Sequence, residues 1–171
     1  SVIPLFCKQI YEGNPLTITN PSMTRFMMYL DEAVDLVFYA FKNAKPGDVF
    51  VQKSPASTID NLSKAIIEIF NISQSNLEII GTRNGEKLFE VLISREEMAS
   101  AIDNGKYFKI PFGLENKEYK NYENQGSKSL SSDLEYTSNN TKLLNKSEMK
   151  DLLIGLPIIQ SLINGKFDIG E

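Results

Sequence analysis

Arginine is scarce in this sequence: Arg25, Arg83 and Arg95 stand against fifteen lysines. Two of the three occupy places where a planar guanidinium could do chemistry. Arg83 lies in IIGTRNGEKLFEVL (79–92), straight after an apolar run, between Gly81 and Gly85 and ahead of Glu86 and Lys87. Arg25 lies in PSMTRF (21–26), straight after a turn-forming stretch. A guanidinium meets two phosphate oxygens at once, which the ammonium of lysine cannot do. Two such forks could hold a diphosphate through charge-assisted bonds of about 1.5–3 kcal/mol each. Gly81 and Gly85 would let the backbone beside Arg83 approach a ligand or take positive φ. Glu86 could accept hydrogen bonds from a ribose diol. The same residues admit a plainer reading as surface ion pairs, with Arg83 against Glu86 or Glu90. Arg95, inside a Ser94-x-x-Glu97 box beside Glu96, reads as helix surface.

Other chemistries are excluded by what the sequence lacks. Histidine is absent, which removes the commonest general base and metal ligand. Cys7 is the single cysteine, so there is neither a disulfide nor a C-x-x-C site, and no metal is expected. Set among Leu5, Phe6 and Ile10, Cys7 reads as a small buried apolar residue. The net charge of −4, with lysines scattered among acids, argues against a nucleic-acid partner. No apolar run approaches the roughly 18 residues that span a bilayer, and no signal peptide opens the chain. A reducing, cytoplasmic setting without a membrane partner is expected. None of the ten glycines forms G-x-G-x-x-G, and none of the seven tyrosines is followed four residues later by lysine. The dinucleotide fingerprint and a Tyr-Lys catalytic dyad are thus absent from this chain.

The elements that must position the arginines can be read from spacing. With 42% hydrophobic and 23% charged residues, 171 residues suit one compact domain. Pro4 suits the first turn of a helix with Ile3, Phe6 and Ile10 on one face and Gly13 as a left-handed cap. Because this amphipathic helix starts at the first residue without an initiator Met, the chain is expected to be the later part of a longer polypeptide. LTIT (16–19) is β-like, NPSM (20–23) a turn and TRFMMYL (24–30) extended. Asp31 is expected to cap a helix with Ala33, Val34, Val37, Phe38 and Phe41 on one face, ended by KPGD (45–48). VFVQ (49–52) reads as a strand and SPAS (54–57) as a turn. Thr58 caps a second helix carrying Ile59, Leu62, Ile66 and Ile69. LEIIG (77–81) and YFKIPF (107–112) read as strands. Residues 113–135, with Tyr119 and Tyr122 among polar residues, read as a long excursion. Asn145 and Glu148 form a capping box, with Leu144 and Met149 as a hydrophobic staple. Leu152, Leu153 and Leu156 follow until Gly155 and Pro157 break or kink that helix, with room for a last short turn beyond. The fold class is α/β, or α+β in isolation, with small sheets and helices.

The series SVIPLF-x-x-QI-x-x-G-x-PLTIT, MTRF-x-M-x-x-DEAVDLV and G-x-R-x-GEKL-x-E resembles the C-terminal, substrate-binding half of extended short-chain dehydrogenase/reductase enzymes acting on nucleotide sugars. It looks most like the UDP-N-acetylglucosamine 4,6-dehydratases of polysaccharide biosynthesis, and SREEM, YFKIP and YTSNNT resemble their 5-inverting branch. The resemblance implies that residues 1–112 are a nucleotide-sugar-binding portion completing a Rossmann-type enzyme. Residues 113–171 would be a polar excursion and helical tail, with the N-terminal cofactor domain absent from this chain. Arg25 and Arg83 would grip the UDP diphosphate and Glu86 the ribose, with Val2, Pro4, Pro15, Thr17 and Thr19 flanking the uracil. NAD or NADP would sit on the missing half, so the resemblance implies that this chain carries no catalytic residue and binds no cofactor by itself. The complete enzyme would be a homo-oligomer. Its implied reaction oxidises C4, removes water across C5–C6 and yields a 4-keto-6-deoxy UDP-sugar for capsule or O-antigen synthesis. Epimerases of the wider group usually have Asp after the first arginine. Arg25-Phe26-Met27 departs from that pattern and leans towards the dehydratases. A UDP-sugar 4-epimerase and a non-catalytic nucleotide-sugar-binding or assembly module remain the alternatives.

Overall fold

The computed structural model describes residues 2–73, 76–112 and 135–167. In chain order the helices and strands are α1 (Val2–Tyr11), β1 (Leu16–Ile18), β2 (Thr24–Phe26), α2 (Leu30–Asn43), β3 (Val49–Gln52), β4 (Ala56–Thr58) and α3 (Ile59–Ile69). They continue with β5 (Leu77–Ile79), β6 (Val91–Ile93), α4 (Arg95–Met98), β7 (Ile102–Asn104), β8 (Tyr107–Ile110), β9 (Tyr136–Thr137), α5 (Lys146–Ile154) and α6 (Pro157–Ile163). The single compact domain expected from length gives way to two compact units, each gathered from distant segments. One comprises Ser1–Met27, Pro55–Glu90 and Lys142–Glu171; the other comprises Met28–Ser54 and Val91–Thr141. Of the excursion expected at 113–135, all but Glu135 lies outside the described residues.

In the first unit, α1 ends where Gly13 takes φ +71°, and the Asn14 N–H reaches the Gln9 carbonyl at 2.8 Å. Phe6 and Cys7 on its inner face are fully buried, and burial pushes the Cys7 thiol up to about 11. The Gln9 side chain clasps β1, donating to Thr17 Oγ1 at 2.7 Å and accepting from the Thr17 N–H at 3.2 Å. Strand β1 pairs in parallel with β5, and β2 pairs antiparallel with β4. The β4 strand lies where the Ser54-Pro55 signal predicts a turn. It forms because β2 offers a partner on one side and the Lys142 carbonyl accepts from the Ala56 N–H on the other.

Thr58 caps α3 by accepting from the Asn61 N–H at 3.1 Å. Leu62 and Ile66 of α3 share one core with Phe6, Met149 and Leu153 of α5, and Ile159 of α6, all fully buried. The Asn145–Glu148 capping box closes with two 2.9 Å bonds, and both staple residues, Leu144 and Met149, are buried. Gly155 ends the nine-residue α5 as expected, and Pro157 then occupies the first turn of α6, a further helix of seven residues, where its missing N–H costs nothing. Glu68 on α3 accepts from both Lys146 and Lys150 of α5 at 2.7 Å.

In the second unit, β3, β8 and β7 form an antiparallel sheet in that order, and β6 pairs with β9. The expected strand at 107–112 stops at Ile110, because Pro111 has no N–H to continue the ladder. Helix α2 begins earlier than expected. Tyr29 is the N-cap and Glu32 accepts its N–H at 2.9 Å, so Asp31 lies in the first turn, where it favours the helix dipole. Tyr39 seats α2 on the sheet, with ring centroids 5.4 Å from Phe50 and 4.4 Å from Tyr107. The face bearing Val34, Val37, Phe38 and Phe41 is exposed.

The Glu68 cluster has a consequence for acid stability. Hydrogen bonds from Lys146, then Lys150, hold its carboxyl at about 2 against an ordinary value of 4.5. A depressed folded-state value gives stability that is present above the unfolded value and fades as pH falls from about 4.5 towards 2. Glu68→Gln should therefore flatten the loss of urea resistance across that window. An unchanged slope would show that the two lysines add nothing to folding.

Candidate functional site

Arg83 stands at the end of a strand that two glycines turn into a loop. After β5 the Ile80 N–H still bonds the Ile18 carbonyl at 2.8 Å, and Gly81 then takes φ +80°. Gly85 takes φ +82°, and the Glu86 N–H returns to the Arg83 carbonyl at 3.1 Å. A Cβ at either glycine would meet nothing within 4 Å. Of the two uses the sequence allowed these glycines, the structure therefore demonstrates positive φ. Glu86 stiffens the loop, accepting the Arg83 N–H at 3.2 Å on one oxygen and the Thr19 hydroxyl at 3.2 Å on the other.

Strand β2 is sewn to the following stretch of the same loop. The Thr24 N–H bonds the Leu88 carbonyl at 2.9 Å, and the Phe26 N–H bonds a Glu90 carboxylate oxygen at 3.1 Å. Arg25 joins this seam. Its guanidinium donates to the Thr24 carbonyl at 2.8 Å and the Lys87 carbonyl at 3.1 Å, and lies 3.8 Å from Glu90. The ion pair expected of Arg83 thus belongs to Arg25. Among the described residues the Arg83 guanidinium has no hydrogen-bond or ion-pair partner, and the residue is exposed.

The seam brings both arginines to the wall of one pocket of about 310 Å3. Of the residues singled out from sequence, Val2, Thr17, Thr19, Arg25, Arg83 and Glu86 line it. Pro4, half-buried in α1, and Pro15, exposed after Gly13, do not. Sequence reasoning missed the apolar part of the lining, Leu5 and Phe6 of α1 together with Met23 and Ile59. Phe6 and Ile59 belong to readable helical faces, but periodicity marks a core face and a pocket wall alike. An apolar wall with a few converging polar groups suits a flat ring with a charged tail. Among the described residues no group of three or more Cys, Asp and Glu side chains is gathered for a metal. No helix there is long and apolar enough to cross a membrane.

Comparison with known proteins bears on what this pocket belongs to. Curated relatives named UDP-glucose 4-epimerase from Rickettsia akari (strain Hartford) and Rickettsia typhi (strain ATCC VR-144 / Wilmington) are 53% and 52% identical to this chain. Each match runs over 160 residues and takes in 94% of this chain and 47% of the relative, so the chain spans about half the length of the curated relatives it matches. The X-ray structure of Pen from Bacillus thuringiensis is 33% identical with a TM-score of 0.72, over 91% of this chain and 45% of that one. These likenesses accord with an extended short-chain dehydrogenase/reductase and with the mixed α/β class of small sheets and helices; they do not single out a dehydratase. The family model described as Polysaccharide biosynthesis protein C-terminal matches residues 117–160. That described as Polysaccharide biosynthesis protein matches residues 1–111, the span holding both arginines and the whole pocket lining. The chain belongs to the polysaccharide biosynthesis protein family.

Proposed function

We propose that this chain is the UDP-binding portion of an enzyme that modifies a nucleotide sugar at C4 of the hexose. The observation that carries the reading is an Arg83 guanidinium, unpartnered among the described residues, on the wall of the pocket that also holds Arg25 and Glu86. A free guanidinium gains its full set of charge-assisted bonds when a diphosphate arrives, because no ion pair has to break first. Arg25 meets the anion from the seam, its position fixed by two carbonyls. Glu86 retains lone pairs for a ribose diol beyond the two bonds it accepts within the loop. Leu5, Phe6 and Ile59 offer the uracil ring an apolar bed.

The glycine fingerprint that cradles a dinucleotide's pyrophosphate is missing from this sequence. We assign the cofactor to the part of the relatives' length that this chain does not span. For the reaction itself we favour a 5-inverting 4,6-dehydratase acting on UDP-N-acetylglucosamine, on the Arg25-Phe26-Met27 departure and the SREEM and YTSNNT blocks. A 4-epimerase is the second reading, favoured by the name that the Rickettsia relatives carry.

Two measurements on the complete protein test these readings. Arg83→Ala should weaken UDP binding in titration calorimetry by about 1.5–3 kcal/mol while leaving the thermal midpoint in place. Arg25→Ala should lower both, because it also opens the seam. Unchanged UDP affinity in Arg83→Ala would remove the basis for the reading. Mass spectrometry and proton NMR of the product then separate the reactions: a sugar one water lighter marks the dehydratase, and an unchanged mass with C4 inverted in the NMR couplings marks the epimerase.

A further inference from the structure

Met23 is apolar by type, yet its sulfur touches polar groups of the pocket wall. The side chain is 1% exposed and belongs to the core that also holds Phe6 and Leu62. Its backbone is held on two sides. The N–H donates to the Asn20 carbonyl at 3.2 Å, and the carbonyl accepts from the Ile59 N–H, at the start of α3, at 2.8 Å. From that anchor Sδ lies 3.3 Å from the Thr19 hydroxyl and 3.7 Å from Nη2 of Arg25. The single Thr19 proton is shared between this sulfur and Glu86 Oε1 at 3.2 Å, and the other Glu86 oxygen takes the Arg83 N–H. A chain of contacts thus runs from the fork of Arg25 through the sulfur, Thr19 and Glu86 to the backbone of Arg83.

A core methionine ordinarily fills a gap, and leucine would fill this one as well. What leucine cannot do is accept a hydrogen bond. Nη2 of Arg25 carries two hydrogens, one given to the Lys87 carbonyl and the other to the sulfur. Without the sulfur the second hydrogen would face hydrocarbon. A charged donor left without an acceptor is costly, so the fork would turn to avoid it. Thr19 loses less, because Glu86 still takes its proton. We propose that Met23 is a positioning residue for the diphosphate: its thioether sulfur fixes the plane of the Arg25 guanidinium and with it the direction from which that fork meets a phosphate group. The proposal rests on the reading of the pocket as a UDP site and adds the buried group that aims one of its arginines.

Met23→Leu in the complete protein keeps the volume and removes the acceptor. UDP affinity should fall by about three- to tenfold. Affinity for uridine, which lacks the diphosphate, should stay as it is when read by ligand-observed NMR, and the thermal midpoint should move little. Met23→Ile, of similar volume, repeats the test if leucine disturbs folding. With methyl-13C methionine in the unsubstituted protein, the Met23 signal, identified by its absence from either variant, should shift on adding UDP or inorganic pyrophosphate and stay in place with uridine. Full UDP affinity in the variants overturns the proposal. Equal fractional losses for UDP and uridine also overturn it, because they mark Met23 as packing alone. Full UDP affinity in Arg83→Ala as well would remove the pocket reading itself, so failure of the sulfur's role and failure of the UDP site are told apart.

Discussion

The seam between β2 and the loop after β5 is the constraint on which the pocket depends. It consists of the Thr24 N–H on the Leu88 carbonyl, the Phe26 N–H on Glu90 and the Arg25 guanidinium on the Lys87 carbonyl. Each bond is modest, about 0.5–1.5 kcal/mol for a neutral pair and somewhat more for the charged donor and acceptor. Together they bring residues far apart in sequence to one wall. Glu90 has two tasks, since one oxygen fixes the β2 backbone while the other lies 3.8 Å from Arg25. An anion that entered would compete with Glu90 for Arg25 and, among the described residues, meet no competitor at Arg83. The two arginines therefore divide the work, Arg25 as part of the frame and Arg83 as the group in reserve.

Around that seam, side chains that look like ligand contacts in the sequence first serve the fold. Thr17 is clasped by Gln9, and Thr19 is tied to Glu86. Such ties hold a polar wall in place before any ligand binds, and preorganisation lowers the cost of ordering on binding. Behind the wall lies the continuous core of α1, α3, α5 and α6, so the pocket floor is the outer skin of a well-packed layer.

What could be read from sequence follows the range of the interactions involved. The caps at Thr58, Ser94 and Asn145 were readable because each is a bond to a backbone group three residues away. The Leu144–Met149 staple was readable because its two apolar side chains lie only five residues apart, on either side of the Asn145 cap. Strand β4 was not, because Ser54-Pro55 signals a turn locally and the strand exists only through β2 and Lys142. The partner of Arg25 was missed likewise, since Glu90 reaches it only after the seam forms. Spacing gave the apolar stripe of α2 correctly, but whether a face is covered depends on what else is present. Arg25, Arg83 and Glu86 could be named from residue type and glycine flanks, whereas their meeting in one pocket is a matter of tertiary structure.

The most direct measurement is a crystal structure of the complete protein with UDP bound. The diphosphate should lie with its oxygens about 2.7–2.9 Å from the Arg83 guanidinium, and with Arg25 contacting the same group. A diphosphate seated elsewhere, with Arg83 still turned to solvent, would contradict the division of labour between the two arginines and with it the assignment of the pocket.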